Sequence, residues 1–160
     1  MATDRLLDAL LSGDVDFVIV GGVAAVLHGS TLLTRDLDIC IPLGASSLLR
    51  LQSMLRELHP RVRTGAGFIP LDLDEVHAAG LRNLYVTTDD GRLDCLGQVA
   101  GIGGYDEVLA LSESVELGSR SCRVLGIDGL IRAKEAMGRP HDLVTVVQLM
   151  ALREKGRPPA

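Results

Sequence analysis

The sequence FVIVGGVAAVLHG, residues 17–29, joins a continuous β-favouring apolar run to a glycine pair. The small and apolar residues after the pair extend to a further glycine, Gly29. This order predicts a buried strand, a glycine turn and a short helix at 23–28. Residues 36–41 then alternate polar and apolar side chains before a proline. This alternation predicts a second strand with one solvent-exposed face and one buried face.

The rest of the chain alternates helical and strand patterns. Apolar spacing predicts helices between Thr3-Asp4 and Gly13, at 45–58, at 126–137 and at 143–152. Hairpins are predicted for 83–87 with 92–99, around the turn Thr88-Asp89-Asp90-Gly91, whose Asp-Gly favours left-handed residues, and for 115–117 with 122–125. We expect 61–81 to be largely irregular, with short elements at most, and 101–104 to be a flexible turn. The pattern indicates an α/β (α+β) protein whose chain ends in two helices.

Length and composition favour one compact domain, 1–160, with a sheet-and-helix body at 1–125 and a helical segment at 126–155. The chain is 47% hydrophobic but only 2% aromatic, so its core must be aliphatic. A broad stacking platform for single-stranded nucleic acid is excluded for the same reason.

The formal charge of -5 argues against duplex DNA as a partner, because phosphate contacts need a basic surface. The charge is unevenly distributed. Residues 1–118 carry eight Lys/Arg against seventeen Asp/Glu, and residues 119–160 carry eight against four. This asymmetry suits an acidic metal site facing groups that hold phosphate, although uneven surface charge without a function is equally compatible with it.

The three cysteines are too far apart for a disulfide framework or a zinc site, so we expect reduced core thiols at Cys40, Cys95 and Cys122. No long apolar segment and no basic leader pattern is present. We therefore expect a cytoplasmic protein that has no membrane partner.

Three acidic residues form the strongest candidate site. Asp36 and Asp38 share one face of a predicted strand, about 6.5 Å apart, and Asp94 lies on a later strand. Three carboxylates would repel one another unless cations lay between them, and their oxygens suit a pair of Mg²⁺ ions. The alternative is that Asp36 and Asp38 are only the solvated face of an edge strand.

The glycine pair Gly21-Gly22 supports the metal-site interpretation. Backbone amides without neighbouring side chains can approach an anion closely, and the amino end of the following helix favours negative charge. A triphosphate could then bridge the glycines and the acidic residues. A tight strand-to-helix turn without a ligand is the alternative.

These residues together resemble the DNA polymerase beta superfamily of nucleotidyltransferases, whose signature is a glycine pair or Gly-Ser, a spacer, Asp-x-Asp and a later Asp. The segments 20–29 and 34–39 are similar to those of small bacterial members, especially the AbiEii-like toxin nucleotidyltransferases. Residues 92–97 and 126–143 extend the resemblance. It implies a nucleotidyltransferase fold, in which helices pack on a mixed, mostly antiparallel sheet.

The resemblance also implies an activity: transfer of a nucleoside monophosphate from an NTP to a hydroxyl acceptor, with release of pyrophosphate. The acceptor, left open, would be a small molecule, a protein or an RNA end. Asp36 and Asp38 would hold both Mg²⁺ (or Mn²⁺) ions, and Asp94 would hold the catalytic one and help to activate the acceptor hydroxyl. Gly21 and Gly22 would hold the triphosphate.

Two cations of the carboxyl-terminal segment complete the implied nucleotide site. Lys134 would neutralise phosphate charge and Arg139 would assist it, although solvated helix-surface cations are the alternative. Many relatives have Ser where this chain has Gly22, so a hydroxyl near the phosphates would come from Ser30 or Thr34. A second functional class is also open: a non-catalytic binding module that keeps the fold, such as one component of a toxin–antitoxin pair with a protein partner.

Overall fold

The computed structural model describes residues 4–157. The strands within that range are β1 (Val18–Val20), β2 (Asp36–Cys40), β3 (Arg61–Thr64), β4 (Gly67–Pro70), β5 (Asn83–Thr88), β6 (Gly91–Leu96), β7 (Gln98–Val99), β8 (Gly103–Gly104), β9 (Ser112–Leu117) and β10 (Arg120–Leu125). The helices are α1 (Asp4–Ser12), α2 (Gly21–Leu27), α3 (Ala45–Leu55), α4 (Glu75–Gly80), α5 (Tyr105–Ala110), α6 (Ile127–Met137) and α7 (Pro140–Lys155), with a 3₁₀ turn at Arg56–Leu58. Thr3, predicted with Asp4 to begin the first helix, lies outside the described residues.

Eight strands form one sheet in the order β4-β3-β5-β6-β2-β1-β10-β9. The pairs β1/β10 and β2/β6 are parallel, and the other neighbours are antiparallel. This is the mixed, mostly antiparallel sheet with packed helices and two C-terminal helices that the sequence and the resemblance predict. The two short strands β7 and β8 pair separately.

The central strands have one buried and one open face. In β2, Leu37 and Ile39 are fully buried, whereas the two acidic residues between and before them are only half-buried. Leu93 of β6 lies in the same buried layer, which Leu48 and Leu51 of α3 also join. Period two therefore directs the aliphatic side chains into the core and leaves the polar side chains on the opposite face.

The last two helices meet at a sharp junction. Gly138 ends α6 with a φ of 65°, a left-handed conformation that glycine adopts at little cost. Pro140 then occupies the first turn of α7, where its missing N–H breaks no hydrogen bond. α7 packs along α6, and α6 contacts α2. The helical segment is therefore held against α2, the helix that begins at the glycine pair.

Residues 61–81 are more ordered than the sequence predicts, because they form β3, β4 and α4. The hydrophobic pattern of this segment did not indicate β4, because every residue of that strand is exposed and hydrophobicity does not alternate along it. Asp74 caps α4 by accepting a hydrogen bond from the backbone N–H of His77. The expected flexible turn at 101–104 includes β8, and it is followed directly by α5, which the sequence analysis did not predict.

The three cysteines are free and buried, as expected. The core is aliphatic apart from Phe17 and the thiols. No helix between residues 4 and 157 combines the length and the hydropathy that a bilayer crossing requires.

Candidate active site

A cleft of about 370 Å³ lies on the open face of the sheet. Asp38 of β2, Asp94 of β6 and Tyr85 of β5 line it from the sheet, and Gly21 lines it at the start of α2. Lys134 lines it from α6. The cleft therefore lies between the sheet body and the helical segment, where the acidic and basic parts of the chain meet.

Asp38 and Asp94 are register partners on the parallel strands β2 and β6. Side chains paired in this way point to the same side of a sheet, so the structure brings Asp94 to the face that Asp36 and Asp38 share. The carboxyl groups of Asp38 and Asp94 are close enough to affect each other's protonation directly. Oδ1 of Asp94 is buried and has no hydrogen-bond partner.

Ionising both carboxyl groups of Asp38 and Asp94 is energetically unfavourable. Burial first, and then repulsion from Asp94 and Asp36, raises the pKa of Asp38 to about 7, although Lys134 acts in the opposite direction. Burial also raises the pKa of Asp94. The two carboxyl groups therefore hold a proton between them at a pH where isolated carboxyls are ionised. A cation would relieve the same repulsion.

Asp36 has a different partner. Its Oδ2 lies 3.9 Å from Nη1 of Arg92, its register neighbour on β6. Within residues 4–157, no three Asp, Glu, His or Cys side chains are grouped closely enough to hold a metal ion in their present positions. The donor set nevertheless fits a hard divalent cation, because it consists of carboxylate oxygens and one of them is buried without a partner.

The glycine pair lies directly against the acidic residues. Gly21 has a φ of 66°, and a Cβ at this position would collide with Oδ2 of Asp38. A Cβ at Gly22 would lie 2.8 Å from Oγ1 of Thr34. Both positions therefore exclude side chains for steric reasons. The missing side chain lets the backbone approach the Asp38 carboxylate at Gly21 and the Thr34 side chain at Gly22.

The two predicted cations share one buried partner. Asp142 at the start of α7 is fully buried and lies 3.4 Å from Nζ of Lys134. Arg139 donates hydrogen bonds to both carboxylate oxygens of Asp142. The Arg139 hydrogen bonds and the Lys134 charge lower the pKa of Asp142 to about 2. Lys134 and Arg139 both line the cleft, held there by Asp142.

The two candidate hydroxyls lie in different places. Ser30 is buried away from the cleft-lining residues, and its hydroxyl donates to Oε1 of Gln148 at 2.7 Å. That bond ties the loop after α2 to α7, so the structure gives Ser30 a structural contact rather than a place among the lining residues. Thr34 lies against Gly22, with Oγ1 3.3 Å from the carbonyl oxygen of Asp36.

Several residues of this face were missed by the sequence analysis. Tyr85 lies opposite Asp94 across the hairpin, and Asn83 lines the same cleft two residues earlier. The predicted hairpin already contained this signal, since a turn centred on Asp89-Asp90 places position 85 opposite position 94. Asp142 lies within residues 126–143, which extend the resemblance, but sequence spacing does not show that it is buried.

Comparison with solved structures shows which known proteins share this fold. A Thermotoga maritima protein assigned to the nucleotidyltransferases aligns with a TM-score of 0.58 and 16% identity, over 92% of this chain and 89% of its own. The antibiotic-resistance factor ANT(2'')-Ia aligns with a TM-score of 0.58 and 17% identity, over 94% and 80%. An antigenic nucleotidyltransferase-like protein from Paracoccidioides brasiliensis gives 0.53 and 15%, over 92% and 72%.

No protein-family model matches the sequence, and no curated protein matches it either. The similarity is therefore one of architecture. The chain has the nucleotidyltransferase fold, which confirms the expected fold class.

Proposed function

We propose that this protein is a metal-dependent nucleotidyltransferase that moves a nucleoside monophosphate from an NTP to a hydroxyl acceptor and releases pyrophosphate. The observation that carries the proposal is the contact between the carboxyl groups of Asp38 and Asp94 beside Gly21, on the open face of this fold. We propose that residues 1–160 act in this reaction as one domain.

The acidic residues suit Mg²⁺ or Mn²⁺. Asp38 and Asp94 would hold the ions, and Asp36 would join them by exchanging its contact with Arg92 for one with a metal. When bound, the ions would neutralise charge on the transferring phosphoryl group and on the leaving pyrophosphate. Oδ1 of Asp94 has a free acceptor position for such a ligand or for a proton.

The remaining residues bind and orient the nucleotide. Gly21 and Gly22 leave the backbone open to the triphosphate, and the Thr34 hydroxyl beside Gly22 would donate to a phosphate oxygen in exchange for its bond to the carbonyl oxygen of Asp36. Lys134 adds positive charge to the opposite wall of the cleft. Asp142 holds Lys134 in place, and Arg139 has a supporting role at the rim.

The reaction is an exchange at the α-phosphorus. The acceptor oxygen forms a bond to this phosphorus while the bond to the bridging oxygen of the β-phosphate breaks. The proton of the acceptor hydroxyl would pass to the Asp94 carboxylate, to which the resemblance assigns activation of that hydroxyl. Pyrophosphate leaves with the electron pair of the broken bond.

Labelled NTPs test this proposal. The purified protein, Mg²⁺ and a cell extract are incubated with each of the four α-labelled NTPs, and we expect label transfer that EDTA abolishes. Asp38→Ala should abolish transfer, whereas Asp14→Ala, which replaces a fully exposed acid away from the cleft, should not. Equal labelling by wild type and Asp38→Ala would contradict the proposal.

A second candidate function is a non-catalytic binding module with a protein partner, such as one component of a toxin–antitoxin pair. Two observations favour it: Lys134 and Arg139 are both paired with Asp142, and residues 4–157 contain no preformed three-ligand metal site. Calorimetry separates the candidates. Mg²⁺-dependent NTP binding supports the enzyme, and its absence supports the module.

The sequence resemblance also supports a narrower family and a location. Because of the motif formed by Gly21-Gly22 and by Asp36 and Asp38, we propose that the protein is an AbiEii-like bacterial nucleotidyltransferase that acts in the cytoplasm. Purification of the tagged protein from its own cells would identify a bound protein partner, if the chain has one.

A further inference from the structure

A second, smaller cleft of about 200 Å³ adjoins the candidate active site on the same face of the sheet. Asp94 and Tyr85 line both clefts. Arg63, Phe68 and Arg92 line only the smaller one. The smaller cleft therefore begins at Asp94 and extends away from Gly21, towards the β3–β4 edge of the sheet.

The aromatic residues of the chain are concentrated there. The sequence contains two Phe and two Tyr. Phe17 is buried in the core, and Tyr105 packs against the core from outside. Phe68 and Tyr85 are more than half exposed, at 54% and 53%, and both line the smaller cleft. Exposed rings are rare in this chain, so two of them at one cleft provide a specific surface on which a planar group can stack.

The positive charge of this cleft contrasts with the acidic chain around it. Arg63 has its guanidinium group 5.9 Å from the centre of the Phe68 ring. Arg92 lies between Asp36 and the cleft, and its side chain is 61% exposed. Arg63 opposes Phe68 across β3 and β4, and Arg92 lies two residues from Asp94 on β6. Guanidinium groups in this position suit phosphate oxygens.

We propose that the smaller cleft binds the acceptor of the reaction, and that this acceptor is a nucleotide, either free or at the end of an RNA strand. The proposal rests on the function proposed above. The base would stack on Phe68 and Tyr85, and a phosphate would pair with Arg63 and Arg92. A ribose hydroxyl would then lie at Asp94.

The chemistry balances with this acceptor. The ribose oxygen forms the new bond to the α-phosphorus of the NTP, and its proton passes to Asp94. The bond between the α-phosphorus and the pyrophosphate oxygen breaks, so the product is a phosphodiester plus pyrophosphate.

Binding and transfer are measured separately to test this. Fluorescence anisotropy with a 5′-fluorescein-labelled RNA trinucleotide, and competition by uridine 5′-monophosphate, report occupation of the cleft. We expect Arg63→Ala and Phe68→Leu each to weaken trinucleotide binding by about tenfold. Two matched controls should not: Arg50→Ala removes an exposed arginine on α3, and Ile69→Ala shortens a 52% exposed side chain on the other face of β4.

Each outcome decides the question. The proposal is supported if the two cleft variants lose trinucleotide binding while calorimetry shows unchanged Mg²⁺-ATP binding, and if label is transferred to the nucleotide acceptor. Transfer to the oligonucleotide or to the mononucleotide then shows which of the two is the acceptor. Trinucleotide binding that is absent, or equal in all variants, overturns it, and retained Mg²⁺-ATP binding then leaves the nucleotidyltransferase proposal standing. Trinucleotide binding without any Mg²⁺-ATP binding overturns the acceptor role together with the proposed function.

Discussion

The pKa of Asp38 is strongly affected by the surroundings of its carboxyl group in the cleft. Burial and the neighbouring carboxylates raise its pKa from the ordinary range to about 7. Its ionised form is therefore less stable in the folded chain than in the unfolded chain. A carboxyl of this kind lowers stability as the pH rises from about 4 to about 7.

This shift predicts a gain in stability when the charge is removed. In EDTA at about pH 8, Asp38→Asn should raise the free energy of unfolding by roughly 1–3 kcal/mol, and at about pH 3 the gain should nearly vanish because Asp38 is then largely protonated in both states. Urea unfolding at both pH values measures the difference. Asp14→Asn, an exposed acid, is the control, and a gain that does not depend on pH would refute the explanation.

Gly21 tests the role of the glycine pair. Gly21→Ala should cost about 1 kcal/mol for its left-handed φ of 66° and more for the collision with Asp38, and it should abolish Mg²⁺-ATP binding. Gly118 has nearly the same φ, 64°, but open space around its missing Cβ. Gly118→Ala should therefore show the backbone cost alone, with nucleotide binding intact. Thermal unfolding and calorimetry compare the two variants.

The junction of α6 and α7 is the element that positions the cations. Asp142 lies at the third position of α7, where its carboxylate also accepts a hydrogen bond from the backbone N–H of Arg139. The cap and the ion pairs therefore use the same carboxylate. One buried acid fixes both the start of a helix and the place of Lys134 in the cleft wall.

Removing this charge should loosen the junction. Asp142→Asn should lower the free energy of unfolding by roughly 1–3 kcal/mol at neutral pH. Because the pKa of Asp142 is lowered to about 2, its contribution is present above about pH 4 and is lost as the pH falls through 2. The variant should therefore lose less stability than wild type between pH 4 and pH 2. Asp128→Asn, an exposed acid on α6, should follow wild type.

Element prediction succeeded where the pattern was periodic. The hairpin of β5 and β6 has the expected turn, and α6 and α7 break at Gly138. It failed for β4, which is exposed throughout, and for α5, a helix of six residues. Both elements are short, and both exist because neighbouring strands hold them rather than because of their own hydrophobic pattern.

For the whole molecule, ligand binding should report on the assembled cleft. Mg²⁺ with a non-hydrolysable ATP analogue at a hundredfold excess over its Kd should stabilise the protein by about 2.7 kcal/mol, which is a rise in Tm of several degrees. The cleft joins β2, β6, α2 and α6, so the ligand would hold the body and the helical segment together. Differential scanning fluorimetry measures this. Asp94→Asn should remove the Mg²⁺-dependent part of the shift, and a full shift in this variant would contradict the proposed role of Asp94.

The sequence by itself determined the strand–glycine–helix unit, the alternation that puts Asp36 and Asp38 on one face, and the aliphatic core, because these depend on local spacing and composition. Only the tertiary structure decided that Asp94 pairs with Asp38, that Asp142 is buried between Lys134 and Arg139, and that Phe68 and Arg63 line one cleft with Asp94. These pairings depend on the order of strands in the sheet and on where the last helices pack. Both are set by burial of the whole apolar surface, which no short segment encodes.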